Sequence, residues 1–271
     1  MDTINHTDYK NKLIKRVLFV VLALLFSKPI YSKVHITVID TGFCPQRLKP
    51  HKNITILDVT DLTKSLKLDC AKENTRDRRF HGQRVLETLI KNVEQEIIIE
   101  PLIVFDADKR QKEIYWQNAF STERLKRTDI FLIAAGLPFL KSISLQKIDL
   151  KNIVFVASGV QDQWIREEHK LFPQELVKSN KNILIISDYY PKTKYDTAYV
   201  DKKNKYQEHV SYFFPFKGEN DLFTGSSYAV AKALNQALKI CNFNSQNDFL
   251  NCLKDKSKKV EIEGKLSPLT F

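Results

Sequence analysis

Two kinds of hydrophobic pattern alternate along this chain. Short runs of consecutive apolar, mostly β-branched residues are too brief for helices and read as strands buried on both faces. They are "VHITVID" from Val34, "EIIIEPLIVFD" from Glu96, "DIFLIAAG" from Asp129, "NIVFVASG" from Asn152 and "NILIISD" from Asn182. Pro101 cannot donate to a ladder, so it predicts an edge or a bulge in the second run. Between the runs, apolar residues recur at helical spacing. "GQRVLETLIKNV" puts Val85, Leu86, Leu89, Ile90 and Val93 on one stripe. "RQKEIYWQNAFSTERLKR" predicts a helix, "SISLQKIDLK" a short one, and "QWIREEHKLFPQELVKSN" a helix or one broken at Pro173. "GSSYAVAKALNQAL" predicts a long helix from Ser226 to Leu238.

Strands that alternate with helices predict an α/β domain with a doubly wound, mostly parallel sheet and helices on both faces. In such open sheets, functional groups gather at the carboxyl ends of the strands. That rule selects Asp40, Ala134-Ala135-Gly136 and Ser158-Gly159 at strand ends, with His81 and Ser227 at helix starts.

The first 32 residues read differently. Lys10, Lys12, Lys15 and Arg16 precede the apolar run Val17 to Phe26, and a polar stretch follows. That order predicts a secretory signal peptide over 1–32, cleaved near Ser32 or Ser27, and the run is short for a permanent span. The expected destination is periplasmic or extracellular, with one domain over 33–271. Residues 1–32 hold five basic and two acidic side chains, so their loss lowers the net charge from +11 to +8. The remaining lysines are interspersed with Asp and Glu, which reads as a solvated surface rather than a nucleic-acid footprint. In an oxidising compartment Cys44, Cys70, Cys241 and Cys252 predict two disulfides, with three possible connectivities. Proximity favours Cys241–Cys252, leaving Cys44–Cys70. No CxxC pair points to zinc, and no metal or cofactor is expected.

Asp, His and Ser in that chain order is one known arrangement of a nucleophilic triad. "VIDTG" around Asp40, "HGQRV" around His81 and "GSSYAVA" around Ser227 resemble the three catalytic motifs of the subtilisin-like serine proteases. "FLIAAGLP" resembles that family's substrate-binding strand, and "VFVASGV" the strand ending at its oxyanion asparagine. The resemblance implies a subtilisin-like fold and peptide hydrolysis. Ser227 would be the nucleophile, His81 the general base and Asp40 its orienting carboxylate. It also implies substrate contacts at Ala134, Ala135 and Gly136, and an oxyanion region at Val160, Gln161 and Ser226.

The sequence also departs from the family pattern. Val160 stands at the asparagine position and has no side-chain donor; Arg84 replaces the second His of H-G-T-H; Ala231 replaces a proline. Only Lys33 to Ile39 lie between the expected cleavage site and Asp40, which leaves no recognisable prodomain. Two functions therefore stand: an exported endopeptidase with an atypical oxyanion site, or a weak or inactive relative that binds a peptide or partner.

Overall fold

The computed structural model describes residues 33–72, 77–159, 168–190, 206–217, 223–262 and 265–269, all within the unit Lys33–Phe271. The expected signal segment and the pair Val160 and Gln161 lie outside the described residues. The five apolar runs form strands β1 (Val34–Asp40), β4 (Ile97–Ile103), β5 (Ile130–Ile133), β7 (Ile153–Ala157) and β9 (Ile183–Tyr189). Shorter strands β2 (Ile54–Ile56) and β3 (Thr60–Asp61) precede β4, and β10 (Val210–Pro215) follows β9. The order β2-β4-β1-β5-β7-β9-β10 is parallel throughout. At the far edge β12 (Lys265–Leu269) runs parallel to β10, and β11 (Lys258–Ile262) pairs antiparallel with β12. A separate antiparallel pair joins β6 (Leu137–Phe139) to β8 (Lys170–Phe172).

Residue parity sorts the core into two layers, because successive strand side chains point to opposite faces. Ile36, Val38, Ile130, Leu132, Phe155 and Ile186 belong to one cluster. Helices α1 (His81–Ile90), α4 (Ser226–Ile240) and α5 (Gln246–Lys256) contribute Leu86, Leu89, Val230, Leu234 and Phe249 to that cluster. Ile39, Phe131, Ile133, Val154, Val156 and Ile185 face a second cluster. There α2 (Glu113–Ala119) brings Trp116 and Ala119, packed with Phe120, Phe131 and Phe172. The fold is therefore the expected doubly wound α/β arrangement, with apolar layers on both faces of a mostly parallel sheet.

Four local expectations differ from the structure. Pro101 lies within β4, which has neighbours on both sides. Its register bonds outward, as Ile97 N–H donates to Asn53 O while Ile99 O and Ile103 O accept from Leu57 and Leu62. Since β2 pairs with Ile97–Ile99 and β3 with Leu102–Ile103, the proline falls in the gap between two short edge strands. The helix expected over 110–127 is two helices, α2 and α3 (Thr122–Arg127). Arg124 of α3 donates to the carbonyls of Asn118 and Ala119, closing the end of α2 as basic side chains do at helix C-termini. The short helix expected near Ser144 is a 3₁₀ turn, Ser144–Lys147. Around Pro173 the described chain is β8 followed by a 3₁₀ turn, Gln174–Lys178.

The cysteines pair as Cys44–Cys70 and Cys241–Cys252. The second pair ties the end of α4 to α5, whose first turn is capped by Ser245 accepting from Asp248 N–H. Among the described residues no helix is long and apolar enough to cross a membrane.

Candidate functional site

Asp40 is the last residue of β1 and is 1 % exposed. It shares the parity of Ile36 and Val38, so it emerges on the face covered by α1 and α4. The chain leaves β1 toward β4 and β2, then returns to β5 on its other side. The carboxyl ends of β1 and β5 therefore flank the point where the winding reverses, where open α/β sheets form their crevice. His81 opens α1, and Ser227 is the second residue of α4.

A set of short-range bonds fixes His81 against Asp40. Gly42 N–H donates to Arg79 O (2.8 Å), Gln83 N–H to Gly42 O (3.1 Å) and Gly82 N–H to Thr41 Oγ1 (3.0 Å). Cys44 N–H donates to Oε1 of the fully buried Gln83 (2.8 Å). The Cys44–Cys70 bridge anchors the same loop. Gly82 is required by closeness, since a Cβ there would lie 2.8 Å from the Phe43 ring and 3.1 Å from Asp40 Cβ. The start of α1 is thereby fastened to the end of β1.

His81 Nδ1 is 2.7 Å from Asp40 Oδ1, which also accepts from Thr41 N–H at 2.6 Å. A carboxylate only accepts, so Nδ1 carries the proton and Nε2 holds the lone pair of the neutral ring. Nε2 has no hydrogen-bond partner among the described residues, and the side chain is 27 % exposed. Burial pulls the imidazole pKa down, but the charge and hydrogen bond of Asp40 outweigh it, and the net shift is upward from 6.5. Arg84 and Arg78 oppose that rise. Phe223 packs edge-on against the imidazole, with centroids 5.2 Å apart, and also edge-on against Tyr228.

Ser227 Oγ donates to Ala134 O, just past the end of β5, at 3.3 Å; among the described residues no hydrogen bond joins it to His81. Gly225 at the N-cap has φ 82° and ψ −167°, a region open essentially to glycine alone. Ser226 is buried at the first helical position. The amides of this first turn lack intrahelical acceptors and lie at the positive end of a 15-residue helix.

The structure thus brings Asp40, His81, Ala134 and Ser227 to one edge of the sheet, with Ser226 beside them. Ala135 and Gly136 follow Ala134, and Gly136 O accepts from Gln111. Reading the sequence did not single out Gln83, Phe223 or Gln174. Buried glutamine and an aromatic residue before a helix carry no motif. Among the described residues no grouping of three or more His, Cys, Asp or Glu could hold a metal. A hollow of about 700 Å³ opens at the opposite edge, beside Leu150, Asn180 and Asn182 near the starts of β7 and β9, and no histidine lines it. No family model matches this sequence, and no curated protein does either.

Proposed function

We propose that this chain is an exported serine endopeptidase of subtilisin-like type, acting through Asp40, His81 and Ser227. One observation carries the reading: His81 is held by Asp40, with no hydrogen bond to Nε2 among the described residues, at the same sheet edge as a serine opening a long helix. A serine hydroxyl is a poor nucleophile unless a base takes its proton during attack. Neutral Nε2 accepts that proton as Ser227 Oγ bonds to the peptide carbonyl carbon. The resulting imidazolium is stabilised by Asp40 and returns the proton to the leaving amine as the C–N bond breaks. Water, deprotonated by the same nitrogen, then releases the acyl group from Oγ. The oxyanion meets the first-turn amides of α4, Ser227 N–H among them. Two disulfides favour an oxidising compartment.

The test is labelling by a fluorophosphonate probe, together with hydrolysis of an unfolded protein substrate. Both are expected in the parent and absent in Ser227→Ala. No labelling of the folded parent removes the enzyme reading. The second reading, a peptide-binding relative without turnover, is favoured by Val160, which stands in the sequence where the resembled family has its asparagine. It requires that Ser227→Ala keep the parent's peptide affinity.

A further inference from the structure

The two disulfides hold different kinds of structure. Cys241–Cys252 joins the end of α4 to α5, and both ends of that bridge also rest on buried Phe243, Phe249 and Leu253. The packing there does not depend on the bond alone. Cys44–Cys70 instead joins the loop after β1 to residues 67–72, where the only regular structure is the 3₁₀ turn Cys70–Lys72. Leu66 packs against the core, but Leu68 belongs to neither apolar cluster. Leu68 lies on Gly42, where a Cβ would come within 2.1 Å of its Cδ1. Arg47 Nη1 donates to Cys70 O at 2.9 Å, in an exposed position where water competes for the same groups.

The loop on the other side of this bridge is the one that sets His81 on Asp40. Thr41 Oγ1, both backbone groups of Gly42 and Cys44 N–H all bond to residues 79–83. Cys44 is fully buried and Cys70 half-buried, so an external thiolate meets the bridge from the Cys70 side. A thiolate of a dithiol attacks Cys70 Sγ, and Cys44 Sγ leaves and takes up a proton. The second thiol then displaces Cys70 Sγ. Two electrons and two protons have passed to the bridge, and the dithiol has become a disulfide. Opening this bridge frees a loop closed across 26 residues, against 11 for the other pair, which is the larger gain in chain freedom.

We propose that Cys44–Cys70 is a redox latch on the site. Exchange with a disulfide oxidant closes it and fastens His81 against Asp40; exchange with a dithiol reductant opens it and releases the loop from Gly42 to Arg47, while the sheet and the helices stay folded. The effect on Ser227 rests on the proposed function, whereas the effect on His81 does not. A base displaced by about 1 Å loses up to roughly 10²-fold in rate, so a loosened loop is enough to silence the serine.

The experiment compares the folded parent before and after treatment with dithiothreitol, with alkylation reporting which thiols are free. Two variants accompany it: Cys44→Ala with Cys70→Ala, which cannot close the latch, and Cys241→Ser with Cys252→Ser, which lacks only the other bridge. NMR reads the Nδ1 proton and the titration midpoint of His81, and a fluorophosphonate probe reads Ser227. In the oxidised parent the Nδ1 proton should be visible and the midpoint should lie above 6.5. With Cys44 and Cys70 free, or replaced by alanine, the proton signal should vanish and the midpoint should fall. Labelling should slow by at least about tenfold and recover when the parent is reoxidised. The variant lacking the other bridge should behave as the parent does in both states. Unchanged His81 signals with Cys44 and Cys70 free would overturn the latch, whatever the labelling shows. Collapse of the whole spectrum on opening this bridge would overturn it too, since a latch releases one loop and leaves the fold. His81 signals that switch while Ser227 stays unlabelled in the oxidised parent would remove the protease reading and leave the latch standing.

Discussion

Glu100→Ala is expected to be among the most damaging single substitutions in this fold. Glu100 lies within β4, 3 % exposed, with Oε1 accepting from Arg124 Nε at 3.0 Å and from Arg127 Nη2 at 2.5 Å. Its Oε2 is 3.5 Å from Thr37 Oγ1, which in turn bonds Thr128 Oγ1 at 2.7 Å. His35 Nε2 stands 3.7 Å from Oε2, and burial holds that imidazole below its ordinary pKa. The network joins β1, β4 and α3, so it bears on the strand that ends in Asp40. Arg127 is 48 % exposed and contributes only in the surface range, about 0–1 kcal/mol. The Arg124 side chain is 11 % exposed and would be left as an uncompensated buried charge. Removing one partner of such a pair costs about 3–5 kcal/mol. For a domain of this size that lowers Tm by roughly 10 °C. Urea unfolding of the parent, Glu100→Ala, Arg124→Ala and the double variant provides the measurement. The double variant should lose little more than either single one, a coupling of about 2–3 kcal/mol. A loss under about 1 kcal/mol for Glu100→Ala, or additivity within about 0.5 kcal/mol, would refute the reasoning. Burial pushes the Glu100 carboxyl up, but the two arginines pull it further down, to a net value below 4.5. Its contribution is thus complete above that ordinary value and lost as pH falls through the lowered folded one. The parent's Tm should therefore fall more steeply than that of Glu100→Ala below pH 4.5.

Gly225→Ala should cost about 1–3 kcal/mol in urea unfolding, through backbone strain alone, because nothing lies within 4 Å of the added Cβ. It should also slow labelling of Ser227, since the first turn of α4 must shift to relieve that strain. His81 must be neutral to act as a base, and its pKa is raised, so the labelling rate should rise with pH to a midpoint above 6.5. Arg84→Gln removes a charge that lowers the imidazole pKa and should move the midpoint higher. Asp40→Asn leaves only burial and the two arginines, all of which lower it, and should bring the midpoint below 6.5, as read from the His81 ring protons by NMR. The raised pKa also makes His81 stabilising below 6.5, an effect that disappears as pH climbs through its folded value.

The parallel sheet was legible because its strands are buried on both faces, and such strands write themselves as unbroken apolar runs. β1, β5, β7 and β9 have this form, with every residue buried or nearly so. β2, β3, β6 and β8 are two or three residues long, below the length at which any period can register. β10 reads "VSYFFP" with half-buried Val210, Ser211 and Tyr212, so it lacks the run that marked the others. The split between α2 and α3 could not be read from spacing, because Arg124 ends α2 by reaching back to its carbonyls. At the site, Asp40 and His81 were legible because each sits in a short motif at a predicted strand end or helix start. Gln174 was not. Its two hydrogen bonds depend on Ala135 and Ala157, 39 and 17 residues away, meeting at one edge.

The position of the Ser227 hydroxyl weighs less on the choice between enzyme and binding protein than the oxyanion site does. Exchanging its bond to Ala134 O for one to His81 Nε2 trades one hydrogen bond for another, a net difference of about 0.5–1.5 kcal/mol at most. Catalytic hydrogen bonds are often unmade in the free protein and form only around substrate. A missing oxyanion donor, by comparison, costs about 2.7–4 kcal/mol in the transition state, a magnitude measured in a subtilisin. That cost cannot be recovered by substrate binding alone, because it arises only as the carbonyl oxygen gains charge. Peptide affinity and Ser227 reactivity therefore report on different parts of the same edge. Under the proposed function, reactivity depends on His81 and the amides of α4, which peptide affinity alone does not test. A protein that retained the first and lost the second would keep Asp40 and His81 bonded as they are here, since Thr41, Gly82 and Gln83 hold that pair without any contribution from Ser227.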